Sequence, residues 1–391
     1  AYMKKSFVLA GIILLSATLA VAAQQVPGRT PSPAASAAPA AQQPTPAEQA
    51  LAALQAMKKF KVFQFPSDRI PRIDGEFSDW DMVPESYVVG TEELWDDSGK
   101  HPGINKSSLD VKVKVGWVKG LNRLYFMYEA YDDYWDFSRS DLHHDIFEIV
   151  VDADQSGGPL IDEQHPNQNI DRWDRYFNYH GVHAQNYHIY TPAEGMDWAL
   201  SWGSQPWIKE LPYANTAYKY NFRPGESGKL YLEFWITPFD YAGPEGPVRA
   251  VESSLKEGKD IGLCWAIIDY DDVNARSNNG FWNLSKEHKM YGQANFLRYF
   301  TLMPLEPGLS KKIDARWSFK VLDMNRRLVA FQDESVGKVT TWSWDFGDGT
   351  TSSEASPLHQ YSRDGKYIVT LKISGPDGAS KLTKVWDVAL R

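Results

Sequence analysis

The sequence predicts an all-β protein built around a large two-sheet β-sandwich, and three observations carry that expectation. Apolar and polar residues alternate with period two over 110–117, 124–131, 145–152, 230–236, 261–269 and 296–303, as in strands whose side chains point to opposite faces in turn. Helical periodicity is nearly absent between Phe60 and Pro307. Several strands are apolar on both faces: Tyr231 and Trp235 lie opposite Leu230, Leu232 and Phe234, which requires two packed sheets with covered outer faces.

From the N-terminus, Met3-Lys4-Lys5 and the apolar run over 7–23, ending in Ala20-Val21-Ala22, have the layout of a bacterial secretory signal peptide over 1–23. The apolar part falls short of the ~20 residues that span a bilayer and is followed by Gln24-Gln25. The expectation is cleavage, no transmembrane segment thereafter, and a secreted protein, extracellular or periplasmic. Residues 24–59 read as a tether. Pro, Ala, Gln, Ser and Thr dominate it to about Ala47, too little apolar surface to offset chain entropy, and 48–59 suit a short helix.

The chain has 391 residues, 43% of them hydrophobic, enough for one large domain and a small one. A net charge of −9 argues against nucleic acid and anionic membranes as partners. Cys264 is the one cysteine and sits in an apolar run, so a buried inert thiol is expected, with core size rather than disulfides holding the fold. Fifteen tryptophans exceed what such a core requires.

Near the C-terminus, Trp342-Ser343-Trp344 leads into Asp345-Phe346-Gly347-Asp348-Gly349, then a Pro357-x-His359-x-Tyr361 segment and a strand with Tyr367, Val369, Leu371 and Ile373 at alternate positions. The glycines suit positive φ, and the aspartates cap their own turns. With Phe331-Gln332-Asp333-Glu334-Ser335 upstream, this pattern resembles a PKD domain. The resemblance implies a small immunoglobulin-like β-sandwich over 311–391 that serves as a spacer, an adhesive module or a contact for other cell-surface proteins or for a second copy. The Asp-Phe-Gly triplet is not read as a kinase motif, because no Gly-rich loop or His-Arg-Asp loop precedes it.

In the central segment, Ile73-Asp74-Gly75 with Trp80 opens the domain, Leu124-Tyr125-Phe126 runs into Asp132-Asp133, and Asp145-Ile146-Phe147-Glu148 runs into Asp152-Ala153-Asp154. Leu232-Glu233 and Ile236-Thr237-Pro238-Phe239 follow, and Ile261-Gly262 leads to Asp269. This order resembles the family 9 carbohydrate-binding modules and the wider DOMON-like sandwiches over 60–310. Thr237-Pro238 replaces the simpler Ile-Pro of that family, and 160–215 reads as a long insertion. The resemblance implies glycan binding and structural calcium.

For calcium, Asp152, Asp154 and Ser156 alternate before Gly157, and Glu163 falls at the twelfth position of the loop. EF-hand helices are missing and Pro159 replaces the usual aliphatic residue, so a simple Asp/Gly turn stands beside the calcium reading, which the resemblance favours. Asp269, Asp271 and Asp272 form a second acidic group, either further ligands or a solvated rim. The insertion is rich in aromatic residues, and rings that stack on sugar C–H faces are how glycans are held. Trp198 and Trp202, placed on a loop by their glycine and serine neighbours, are the first choices for carbohydrate binding, with Trp173 and Tyr176; the alternative is that such rings pack the insertion onto the sheet. His180, His183 and His188 beside Asp174 match no metal-ligand spacing, so hydrogen-bonded or surface histidines are expected.

Together these readings predict a secreted, non-catalytic, calcium-stabilised protein that binds a glycan or polysaccharide by aromatic stacking. The alternatives are a self-assembling adhesive component of the cell surface, a glycan-active enzyme using Asp132/Asp133 or Glu148/Asp152, and a haem-binding DOMON-like protein using Met127 or Met290.

Overall fold

A computed structural model describes residues 43–45, 48–49, 52–53, 56–139 and 141–390. The chain divides into two units, Ala1–Pro46 and Ala47–Arg391, and every described strand belongs to the second. The signal peptide expected at 1–23 and most of the tether lie outside the described residues. Of the helix expected at 48–59, residues 48, 49, 52 and 53 are helical.

One strand belongs to both sheets of the large sandwich. In β1 (Phe60–Phe65), Phe60, Lys61 and Val62 pair in parallel with β15 (Arg298–Leu302), whereas Phe63, Gln64 and Phe65 pair in parallel with β4 (Leu109–Val118). The first sheet continues from β15 through β13 (Asp260–Asp269), β6 (Ile146–Asp152) and β7 (Gln185–Tyr190) to β8 (Ala199–Trp202). On it, β14 (Gly280–Asn283) pairs with β13 and with β3 (Trp95–Asp96). The second sheet runs from β4 through β5 (Leu124–Asp132) and β10 (Gly228–Ile236) to β9 (Ala214–Lys219), with β2 (Val89–Gly90) also on β4. A short ladder joins β11 (Phe239–Tyr241) and β12 (Val251–Glu252).

The core lies between the sheets, where Tyr128 of β5 stacks on Phe147 of β6 at 4.3 Å and Phe126 on Phe234 at 4.6 Å. Such stacked pairs add about 0.5–1.5 kcal/mol beyond their buried area. The outer face of the second sheet is covered as its two-faced strands require. Phe63, Phe65, Tyr125, Met127 and Trp235 pack there with Trp80, Val83 and Tyr87. Met290, the other methionine weighed for haem, is buried in the main core.

The segment 160–215 is not simply an insertion: it supplies β7 and β8, which extend the first sheet. All six residues of β7, Gln-Asn-Tyr-His-Ile-Tyr, are buried, so its polar residues conceal the alternation by which strands are recognised. It also supplies the helix α1 (Arg172–Tyr179), capped by the Asp171 carboxylate, which accepts from the Trp173 and Asp174 amides.

The C-terminal module is a second sandwich. Strands β16 (Trp317–Asp323), β17 (Leu328–Asp333) and β20 (Leu358–Gln360) face β18 (Thr341–Asp345), β19 (Thr351–Ser352), β21 (Gly365–Gly375) and β22 (Gly378–Leu390) across a core centred on Trp317, Phe331 and Trp344. The motif residues interlock. Phe346 lies flat on His359 at 4.0 Å, His359 Nε2 meets the Asp348 carboxylate at 2.8 Å, and the Tyr361 hydroxyl donates to the Phe346 carbonyl at 3.1 Å. Among the described residues no helix is long and apolar enough to cross a membrane.

Candidate functional site

The outer face of the first sheet carries polar residues where its inner face carries the core. His188 of β7 is paired with Glu148 of β6, and Asn186 with Trp202 of β8; directly paired residues share a face, so all four side chains project outward. Two segments roof them. The first contributes Ile161, Glu163, Gln164 and His180, with α1 held down by the Tyr176 hydroxyl donating to the Gly203 carbonyl at 2.9 Å. The second contributes Phe281, His288 and Tyr291, and buried Asp97 fixes it by accepting from Asn283 Nδ2 at 2.8 Å and meeting His288 Nδ1 at 2.9 Å. Between floor and roof lies a cavity of about 500 Å³.

Polar groups aimed into this space lack protein partners. Asn186 Nδ2 donates to Glu148 Oε1 at 3.0 Å, yet Asn186 Oδ1, both ring nitrogens of His188, His180 Nε2 and Gln164 Oε1 have no partner among the described residues. Leaving such buried groups unpaired costs about 1–3 kcal/mol each. Burial pushes the Glu148 carboxyl up to about 7. Burial, aided by nearby His144, pushes His188 down to about 4, so its ring is neutral at pH 7. His180 Nδ1 donates to Asp162 Oδ1 at 2.9 Å, and its Nε2 is buried without a partner at the cavity. Burial pulls the Asp162 carboxyl upward, but hydrogen bonds with His180 and Glu163 outweigh it and hold the group below its ordinary value.

A second constellation lies where strand ends of the two sheets converge. Asp132 ends β5, Asp145 precedes β6 and Asp269 ends β13; their carboxylate oxygens lie within 4.8 Å of one another, and all three residues are at least 97% buried. Asp133 and Asp271 join Asp132 in an overlapping group. Burial and then mutual repulsion raise the carboxyls of Asp132 and Asp145, and burial with the charge of Asp271 pushes Asp269 up to about 7. One oxygen each of Asp269 and Asp271 is buried without a partner. A hard divalent cation fits this all-oxygen set, of which the sequence had marked Asp269 and Asp271 as further ligands or a solvated rim and Asp132 and Asp133 as an acid pair.

Of the four calcium ligands expected from sequence, Asp152, Asp154 and Ser156 share one turn, and Glu163 lies apart from them. Asp152 already accepts from the Gly157 amide at 2.8 Å and the Ser156 amide at 3.2 Å, while Asp154 accepts from the Ser156 amide at 3.1 Å, an Asp/Gly turn closed on itself. Glu163 stands instead with Asp162 and His180. The spacing misplaced Glu163 because a 3₁₀ turn at Asp162–Gln164 carries it to the cavity.

Of the aromatic choices, Trp202 lines the cavity, 5.8 Å from the His188 ring. Trp198 is not on an open loop. It packs on Phe234 and Tyr187, and its Nε1 donates to the Lys209 carbonyl at 2.9 Å. Trp173 stands 60% exposed on α1, beside Phe177, and Tyr176 packs against His180 at the cavity edge. His180 and His188 share the cavity as sequence neighbours do not require; His183 and Asp174 face solvent. Asn186, Phe281, His288 and Tyr291 went unread. Only the alternate Asn-x-His of β7 could have signalled them.

The C-terminal module has a family match. Residues 326–390 fit the model of the PKD domain. Curated relatives match over part of the chain: a microbial collagenase from Vibrio alginolyticus is 45% identical over 42 residues, 11% of this chain and 5% of the relative. A pre-pro-metalloprotease from Vibrio cholerae is 36% identical over 66 residues, 17% of this chain and 7% of the relative. The chain therefore spans a small fraction of the length of these relatives. Among solved structures, a family 9 carbohydrate-binding module from Caldicellulosiruptor kristjanssonii in complex with cellotriose is similar at 14% identity, covering 65% of this chain and 97% of that one with a TM-score of 0.41. The PKD1 domain of the Vibrio cholerae metalloprotease is similar at 29% identity, covering 20% of this chain and 95% of that one with a TM-score of 0.18. Both families named from the motifs recur among the matches.

Proposed function

We propose that this chain is a secreted carbohydrate-binding protein whose glycan site is the cavity lined by Trp202. The observation that carries the reading is the cavity itself: aromatic walls of Trp202, Phe281 and Tyr291 beside buried polar atoms that lack partners until a ligand's hydroxyls supply them. Aromatic rings would stack on the sugar face while Asn186, His180 and His188 exchange hydrogen bonds with hydroxyls. Calcium would be held by Asp132, Asp145, Asp269 and Asp271, stiffening the strand ends. A binding role is favoured over hydrolysis by Glu148/Asp152. These residues stand four positions apart on one strand, ~13 Å at ~3.3 Å per residue, beyond the ~6.5–9.5 Å of paired glycosidase carboxylates. The C-terminal module would space or anchor the binding domain.

A glycan array read in calcium and again in EDTA, with wild type and Trp202→Ala, tests the proposal. Wild type is expected to bind a defined sugar set and Trp202→Ala to lose it. A wild type silent in both conditions, or a variant that binds unchanged, would sink the reading.

A further inference from the structure

Glu148 is a carboxylate without a cation. It is 6% exposed, its one protein hydrogen bond comes from Asn186, and no ion pair among the described residues reaches it. Among the described residues no Lys or Arg lines the cavity either. The neighbouring histidine, His288, is engaged by Asp97, whose other oxygen is buried and unpaired. The cavity thus joins the buried Glu148 carboxylate to a wall of Trp202, Phe281 and Tyr291. Acid beside aromatic faces is how an ammonium group is recognised: the carboxylate supplies a charge-assisted hydrogen bond, and the rings supply cation–π attraction.

We infer that the cavity takes an amino sugar, a glycan unit whose protonated primary amine pairs with Glu148 against this aromatic wall. The inference rests on the cavity being the glycan site and names the class of sugar it selects. An ammonium partner also removes a cost that the empty site bears, since burial drives the Glu148 carboxyl up to about 7 against the hydrogen bond from Asn186. N-acetylated and unsubstituted sugars keep the ring and its hydroxyls but have no charge to offer, so they leave Glu148 as it was.

Calorimetric titration of the full chain with three β-1,4 hexamers, of glucosamine, N-acetylglucosamine and glucose, is decisive. At pH 7 the glucosamine hexamer should bind about ten- to a hundredfold more tightly than the other two, the gain of one charge-assisted contact. Glu148→Gln should lose the preference for the amine. Equal binding of all three hexamers by wild type overturns the amine contact and leaves the glycan reading standing, whatever the variant does. A preference that survives in Glu148→Gln also overturns it, and binding of none of the three overturns both the contact and the reading beneath it.

Discussion

Glu233 is buried completely, yet it is satisfied: Trp80 Nε1 donates to one oxygen at 2.7 Å, and the amides of Gly75 and Asp74 donate to the other at 2.9 and 3.3 Å. Gly75, at φ +77°, turns the chain so that two successive amides face one carboxylate. The opening Ile-Asp-Gly, the Trp and the later acidic strand of the sequence motif are therefore one hydrogen-bonded knot. Glu233→Ala would strand three donors, and a loss of about 3 kcal/mol or more is expected in urea unfolding; a loss below ~1 kcal/mol would mean that neighbours replace the carboxylate. Gly347 is a second position where one atom matters. Its φ is +78°, and a Cβ would meet the Ile368 carbonyl at 2.4 Å, so Gly347→Ala should destabilise the C-terminal module by at least ~1 kcal/mol on strain alone. Cys264 is fully buried, and burial pushes its thiol up to about 12. Native protein should not react with a thiol reagent until unfolded; rapid native labelling would contradict the burial.

At the scale of elements, α1 is the conspicuous case. No isolated eight-residue helix is stable in water, and this one holds through its Asp171 cap and the Tyr176–Gly203 hydrogen bond while leaving Trp173 and Phe177 exposed as near neighbours, 6.2 Å apart. The aromatic row continues through Tyr176 to His180 at the cavity. Trp173→Ala should therefore weaken binding of long glycans several-fold and leave short ones unchanged, as read by affinity electrophoresis beside calorimetry. Equal loss for both lengths, or none, would remove α1 from the binding surface. Strands with apolar residues at alternate positions, such as β4 and β5, were legible because each apolar side chain announces a buried face. β7 was not, because its outward residues line a polar cavity rather than water or core, and no period in hydrophobicity marks such a face.

At the scale of the molecule, the acidic cluster bridges the sheets: Asp132 comes from the second, Asp145 and Asp269 from the first. A cation there would clamp their ends together. Without one, the sign of the pH dependence is set by raised carboxyls, which bind more protons folded than unfolded. Stability contributed by Asp269 is present below its unfolded value near ~4 and is lost as pH rises through about 7. In EDTA, the melting temperature of wild type relative to Asp269→Asn should thus fall from pH 4 to 7, and calcium should restore it at pH 7. A wild type that tracks the variant across this range and ignores calcium would discard the site.

By itself the sequence determined the all-β class, the two-sided strands and the small C-terminal sandwich. These are local properties: side-chain alternation, turn chemistry and motif order act within a few residues of the chain. Tertiary structure alone decided that Trp198 is packed, that Glu163 leaves the Asp152 turn, and that Asp132, Asp145 and Asp269 meet. It also decided that Glu148, Asn186, His188 and Trp202 share one cavity. Those facts depend on which strands pair and in what register, and pairing brings together residues more than a hundred positions apart whose mutual burial leaves no trace in either local stretch.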